Sequence, residues 1–341
     1  MGVRAGALGL AVVLAACSAS PPPSTSPPKA TPHPTPTGTP LPTAGPTPMS
    51  TPEMLTADAL VPLVDASALK AHLEALQAIA DAHDGHRATG SAGFEASVAY
   101  VAGELEAAGY LIERQSFDAG GVPSASLITE RTGSDDAVVM LGAHLDSVVA
   151  GPGINDDGSG VAALLVIADA LAGLPAPQRT VRFAFWGAEE GGPFGSVAYV
   201  DALDSAERDR IVAYLNFDML ASPNAVRFVY AEAGAAPGSD RLTDLFAATI
   251  EGAGLAWEPI DLEGDSDHGP FGDAGIATGG LFSGGIEVVT QAQAEAFGAR
   301  AGEPADPCSH RACDTIDNVD TEILEQMARA IARVLVELAA P

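Results

Sequence analysis

Val138-Val139-Met140-Leu141-Gly142-Ala143-His144-Leu145-Asp146 is an apolar run that ends abruptly on a histidine and an aspartate. A short run of this kind reads as a strand buried on both faces, with polar groups held at its carboxyl end. The turn-rich loop Gly153-Ile154-Asn155-Asp156-Asp157-Gly158-Ser159-Gly160 follows and opens a helix over 160–174. The same grammar then repeats. Strands are expected at 180–186, 211–217, 226–230 and 277–282, and helices at 196–203, 241–252 and 321–338. Upstream, Asp65 caps a helix with Leu69, Leu73, Leu76 and Ile79 on one face, and a second helix carries Phe94, Val98, Val101 and Leu105. Short β-type runs at 110–117, 125–129 and 137–143 form an early meander. Strands alternating with helices imply a three-layer α/β sandwich: a mixed, mostly parallel sheet with helices on both faces.

The 341 residues include 16 Lys and Arg against 45 Asp and Glu, a formal net charge of -29. All the acidic residues lie from Glu53 onward. A surface this acidic repels phosphate backbones and anionic lipid, which argues against nucleic-acid binding and against a polybasic membrane patch. No stretch reaches the ~18–20 apolar residues of a membrane-spanning helix. A disulfide framework is excluded by a total of three cysteines, and collagen by the lack of a glycine period.

The amino terminus reads as an address followed by a tether. Arg4 precedes the apolar run Ala5–Ala16, which has the length of a signal-peptide core, and residues 1–16 are taken as that signal. The run ends in Leu14-Ala15-Ala16-Cys17, which resembles a lipoprotein cleavage box, so Cys17 is the expected lipidation site. Ordinary secretion is the alternative. Residues 17–52 form a Pro/Ser/Thr-rich stalk, with 13 Pro from Ser18 to Pro52, and a catalytic domain is assigned to 53–341. If Cys17 is lipidated, Cys308 and Cys313 are left as a pair that an exported compartment allows to bridge. Ligation of a metal by the two thiolates is the rival. The expected protein is a monomer at the cell surface or in a periplasm, touching the membrane only through its anchor.

Ligands of open α/β sheets bind beyond the carboxyl ends of strands. Here those ends carry His144 and Asp146, then Gly187-Ala188-Glu189-Glu190, then Asp218. Of seven histidines, four fall in the stalk or the first helix and its exit, leaving His144, His268 and His310. Imidazole with carboxylate suits Zn²⁺, and a pair of ions needs a bridging carboxylate with further donors on each side. A Glu-Glu pair is ordinarily a solvated turn, but this one follows Phe183-Ala184-Phe185-Trp186. Asp156 and Asp157 compete to cap the next helix, and Asp157 is the better cap. Spacing alone leaves His268 and His310 level as the last donor.

Together these stretches resemble peptidase family M28, notably its secreted bacterial double-zinc aminopeptidases of the leucyl type. The resemblance rests on Ala143–Ser147, Gly153–Gly160, Trp186–Glu190, Leu215–Met219, Ser266–Phe271 and the 308–313 loop, in the family's order. It implies a zinc-exopeptidase-like fold and two zinc ions: His144 and Asp218 on one, Glu190 and His310 on the other, with Asp156 bridging. Glu189 becomes the general base acting on a metal-bridging water, and Asp146 orients the ligand histidine. Asp267 and His268 then lie near the site as structural or supporting polar groups. The implied activity is removal of amino-terminal, apolar residues from peptides.

Two departures bear on specificity. Ser309 stands where close relatives carry a tyrosine, and no arginine separates Asp265 from Ser266. Asp265 itself remains, and Glu189 and Asp218 can still hold an ammonium group. These changes keep two rivals in view: a carboxypeptidase or other amidohydrolase on the same fold, and a peptide-binding lipoprotein without chemistry. Arg329 at a position matching a family calcium ligand argues against calcium.

Overall fold

The computed structural model describes residues 54–340. The signal segment, Cys17 and the stalk therefore lie outside the described residues. The described chain runs α1 (Ala57–Leu60), a 3-10 turn (Val61–Leu63), α2 (Ala66–Ala82), α3 (Ala92–Ala107), β1 (Ile112–Ala119), β2 (Val122–Arg131), β3 (Val138–His144) and α4 (Gly158–Ala172). It continues through β4 (Thr180–Trp186), α5 (Phe194–Ala202), α6 (Ser205–Arg210), β5 (Ile211–Phe217), β6 (Phe228–Tyr230), α7 (Ser239–Gly252) and β7 (Glu258–Ile260). It ends with α8 (Gly269–Asp273), β8 (Thr278–Phe282), α9 (Gln291–Phe297), a 3-10 turn (Ile316–Asn318) and α10 (Thr321–Ala339).

The strands form one eight-stranded mixed sheet in the order β1-β2-β4-β3-β5-β8-β6-β7. The centre, β4-β3-β5-β8, is parallel throughout. Because side chains alternate across a strand, each central strand feeds two cores. Val139, Leu141, Val181, Phe183, Leu215 and Phe217 face the larger core with α2, α3, α4, α7 and α10. Val138, Met140, Ala184, Trp186 and Tyr214 face a smaller one, where Phe271 of α8 stacks on Tyr214 at 3.8 Å and Tyr199 of α5 packs on Trp186. The expected three-layer sandwich is the observed one.

Differences from the sequence reading are local and have physical causes. The hairpin β1–β2 extends two to three residues further than expected, to the pair Ala119–Val122. Gly120 and Gly121 at φ +64° and +99° supply the tight turn that lets it zip up. Helix α4 starts at Gly158 rather than 160, because Asp157 accepts from the Gly160 N–H and caps it. Strand β6 begins at Phe228 rather than 226. The elements α1, α6, β7, α8 and α9 are too short to show a period and escaped the sequence reading. Among the described residues no helix is long and apolar enough to cross a membrane.

Helix α10 closes the larger core with a fully buried face that includes Ile331 and Leu335. Ile331→Val removes one buried methylene there. It is expected to lower the unfolding free energy by about 0.5–1.5 kcal/mol, read from a denaturant melt at constant slope.

Candidate metal centre

The sheet brings three strand ends together: His144 closes β3, Glu189 and Glu190 lie just past β4, and Asp218 lies just past β5. Asp156 arrives from the loop before α4, and His310 from the loop before α10. Three residues in this set or beside it have left-handed backbone: Ala188 before Glu189, Met219 after Asp218, and His310 itself, at φ +63°, +54° and +57°. Non-glycine residues adopt this region at a cost, and they do so where the fold aims a side chain.

Asp156 lies between the two histidines. Its Oδ1 is 3.1 Å from Nε2 of His144 and its Oδ2 is 3.2 Å from Nε2 of His310. Around His144 Nε2 lie Asp218 Oδ1 at 3.5 Å and Glu189 Oε2 at 3.9 Å. Glu190 Oε2 is 3.2 Å from His310 Nε2. Asp156, Glu190 and His310 thus form one compact donor group, and His144 and Asp218 belong to a second. Asp157 also falls within donor range of that second group. Its oxygens are already occupied, accepting the backbone N–H of His144, Gly160 and Met219. Asp156, facing His144 Nε2 directly, is the better candidate to complete it.

A carbonyl only accepts, and His144 Nδ1 lies 3.2 Å from the main-chain oxygen of Asp146. Nδ1 therefore carries hydrogen, which leaves Nε2 turned toward the acids. The Asp146 carboxylate is further off, at 3.8 Å, and accepts the Glu189 N–H and the Thr89 hydroxyl, both at 3.0 Å. It orients the Glu189–Glu190 turn more directly than it does the histidine.

The charges are arranged for a cation. Burial, with Asp218, Asp267 and Asp156 nearby, lifts Glu189 well above the usual carboxylate range, and burial with Asp156 pushes Glu190 up to about 8. Asp156, despite its burial, is held below that range by the two histidines. Burial alone would push His144 down, yet Asp218 and Asp156 carry it well above its usual value. Glu190 Oε1 and Asp218 Oδ1 are buried without a hydrogen-bond partner. Orphaned carboxylate oxygens beside two imidazoles fit divalent ions of borderline softness. Asp156 presents one oxygen to each of the two imidazoles.

The remaining expected residues divide. His268 is fully buried, with Nε2 hydrogen-bonded to Glu232 and the ring edge-on to Tyr230, and it joins neither donor group. Asp267 accepts from Ser196 Oγ at 2.5 Å, and Ser266 Oγ donates to Asp218 Oδ2 at 2.9 Å. Asp265 is exposed, and Ser309 is half-buried in the loop closed by the Cys308–Cys313 disulfide. An open cleft of about 960 Å³ is lined by Pro193, Glu232, Asp261, Gly264 and Pro270 and includes none of the donors.

Sequence reasoning missed Arg87, which is fully buried. Its guanidinium donates to the carbonyls of Pro152 at 2.9 Å, Gly153 at 2.6 Å and Leu145, tying the His144 strand end to the Asp156 loop. A lone arginine after the first long helix of so acidic a chain was the available signal.

The family model for peptidase family M28 matches residues 126–335. The chain belongs to peptidase family M28. It is 44% identical over 276 residues to leupeptin-inactivating enzyme 1 of Streptomyces exfoliatus, covering 80% of this chain and 61% of that one. It is 45% identical over 221 residues to the probable lipoprotein aminopeptidase LpqL of Mycobacterium tuberculosis, covering 62% and 43%. The chain thus spans less than two thirds of the length of either relative. In fold it is similar to an aminopeptidase from Aneurinibacillus sp. strain AM-1, with TM-score 0.70 at 18% identity over 84% of this chain and 97% of that one. It is also similar to BSAP, a zinc aminopeptidase from Bacillus subtilis, with TM-score 0.54 at 27% identity over 64% and 51%.

The electrostatics of this M28 centre set a pH dependence once cations are stripped. Burial raises Asp267 and Asp314 to about 7 and Glu190 to about 8, above the ordinary ~4 of an unfolded carboxyl. Their contribution to stability is complete below pH ~4 and is lost as pH rises through 7–8. His310, raised to about 9 chiefly by its hydrogen bond to Asp156, adds stability below pH ~6.5 that is lost as pH passes 9. Chelated protein should therefore unfold at progressively lower denaturant as pH rises from about 5 to 9. A midpoint that climbs over this range would contradict the assignment.

Proposed function

We propose that the protein is a dinuclear-zinc aminopeptidase that removes amino-terminal, apolar residues from peptides. One observation carries the reading: Asp156 offers its two oxygens to two separate imidazoles, each flanked by a further carboxylate. His144 and Asp218 would hold one zinc, Glu190 and His310 the other, and Asp156 both. Zinc, when bound there, supplies Lewis-acid polarisation of the scissile carbonyl and a lowered pKa for water.

The protein's own groups do the rest. Glu189, with Oε2 at 3.9 Å from His144 Nε2, is outside the ligand set but next to it. Its carboxylate takes the proton from the attacking water and delivers it to the leaving amine nitrogen. Burial suits it to the task, because it strengthens the hold of the carboxylate on the proton it must take from water. Asp146, through the Glu189 N–H, fixes where that carboxylate starts. The half-buried Glu189 and Asp218 carboxylates also provide a seat for the substrate's free ammonium.

Export follows from the Leu14–Cys17 box and agrees with the name of the mycobacterial relative. A carboxypeptidase or other amidohydrolase remains the second reading, favoured by Asp265 running straight into Ser266 without an arginine.

Two experiments test this. Hydrolysis of leucine anilide should be chelator-sensitive and should vanish for its Nα-acetylated twin; equal rates on both would move the amidohydrolase reading ahead. Glu189→Gln should keep wild-type zinc content, measured by atomic emission, while turnover falls about 10²–10⁴-fold. Near-normal turnover would remove Glu189 from its role.

A further inference from the structure

Residues 154–156 lead into the bridging carboxylate as irregular backbone, and all three are buried. Their amides have no ladder to join, and a buried N–H without a partner is costly, so something must receive them. One residue receives all three. The main-chain oxygen of Asp314 accepts from Ile154 at 3.2 Å, its Oδ1 from Asn155 at 2.8 Å, and its Oδ2 from Asp156 at 3.1 Å.

Asp314 directly follows Cys313, whose bond to Cys308 closes the loop that bears His310. Its own N–H donates to Arg311 O within that loop at 3.0 Å. The two loops also touch through main chain, since a Cβ on Gly151 would lie 2.2 Å from Arg311 O. The side chain between the loops extends the tie. Asn155 Oδ1 accepts the Ala221 N–H just past Asp218, and its Nδ2 donates to Ser222 and to Asp306, which in turn accepts the Cys308 N–H. Three segments carrying three expected ligands are thus referred to one buried point.

We propose that Asp314 is a positioning residue for the metal centre: by gripping the amides of Asn155 and Asp156 from the base of the His310 loop, it sets the placement of Asp156 relative to His310. The inference rests on the two-zinc reading above. It adds that the spacing of the two positions is built into the protein by a carboxylate that ligates neither ion.

The test is zinc affinity, measured by competition with a chelating dye on the purified chain. Three proteins are compared: wild type, Asp314→Asn, and Ile331→Val as a destabilised control remote from the loops. Asp314→Asn replaces one accepting oxygen with a donor that faces an N–H. It should weaken the zinc position containing His310 by about 10–100-fold, the usual cost of losing an outer-shell partner. Ile331→Val should bind zinc like wild type, since lost stability alone leaves the site's geometry intact. If Asp314→Asn does not fold, Asp314→Glu keeps the charge but is one methylene too long for both amides, and the same loss is expected. Wild-type affinity in either folded variant overturns the proposal. So does failure of both to fold with and without zinc, which would make Asp314 a folding residue. Wild-type protein that binds fewer than two zinc ions overturns the two-zinc reading itself, a result distinct from either.

Discussion

Carboxylates crowded into the interior repel one another and lose their hydration, and the architecture of this protein follows from how that cost is met. Asp156, Asp218, Glu189 and Glu190 converge on His144 and His310, with Asp146, Asp157, Asp267 and Asp314 packed behind them. Backbone amides serve three of the rear rank, with Asp157 taking three and Asp146 and Asp314 at least two each, while Asp267 accepts the Ser196 hydroxyl. Arg87 contributes a buried positive charge and spends its hydrogen bonds on carbonyls of the same loops. The front rank is left with orphaned oxygens, and a divalent ion is the partner that satisfies such oxygens without filling the site with protein.

The sheet supplies the rigidity this requires. Four parallel strands at its centre end on one side of the molecule, and three of them deliver donors within four residues of their last ladder pair. Left-handed residues at Ala188, just before Glu189, and Met219, just after Asp218, turn the chain beside these donors. Apolar layers on both faces hold those ends in place, so the strain is carried by the fold.

Much of this was legible in the sequence. The buried central strands announce themselves as continuous apolar runs, and their polar terminators fall where an α/β sheet places its chemistry. His144, Glu189, Glu190 and Asp218 could be found that way. The choice between His268 and His310 could not be made from spacing, because it depends on how a long loop folds back. The structure puts His310 against Asp156 and Glu190 and gives His268 to Glu232. Arg87, Asn155, Asp306 and Asp314 went unseen for a related reason. Arg87, Asn155 and Asp314 serve backbone groups about 60 to 160 residues away, Asp306 holds the side chain of Asn155, 151 residues away, and no local pattern marks a side chain with such distant partners. The three-residue strand β7 is similarly silent, being fixed by the neighbour it joins rather than by its own periodicity.

One carboxylate, Asp156, is proposed to join two cation positions. Counting zinc per chain by atomic emission, after equilibration and exhaustive buffer exchange, tests it most directly in wild type and Asp156→Asn. Two ions are expected in wild type, with loss from both positions together in the variant. One ion in wild type, or a variant that still holds two tightly, would contradict it.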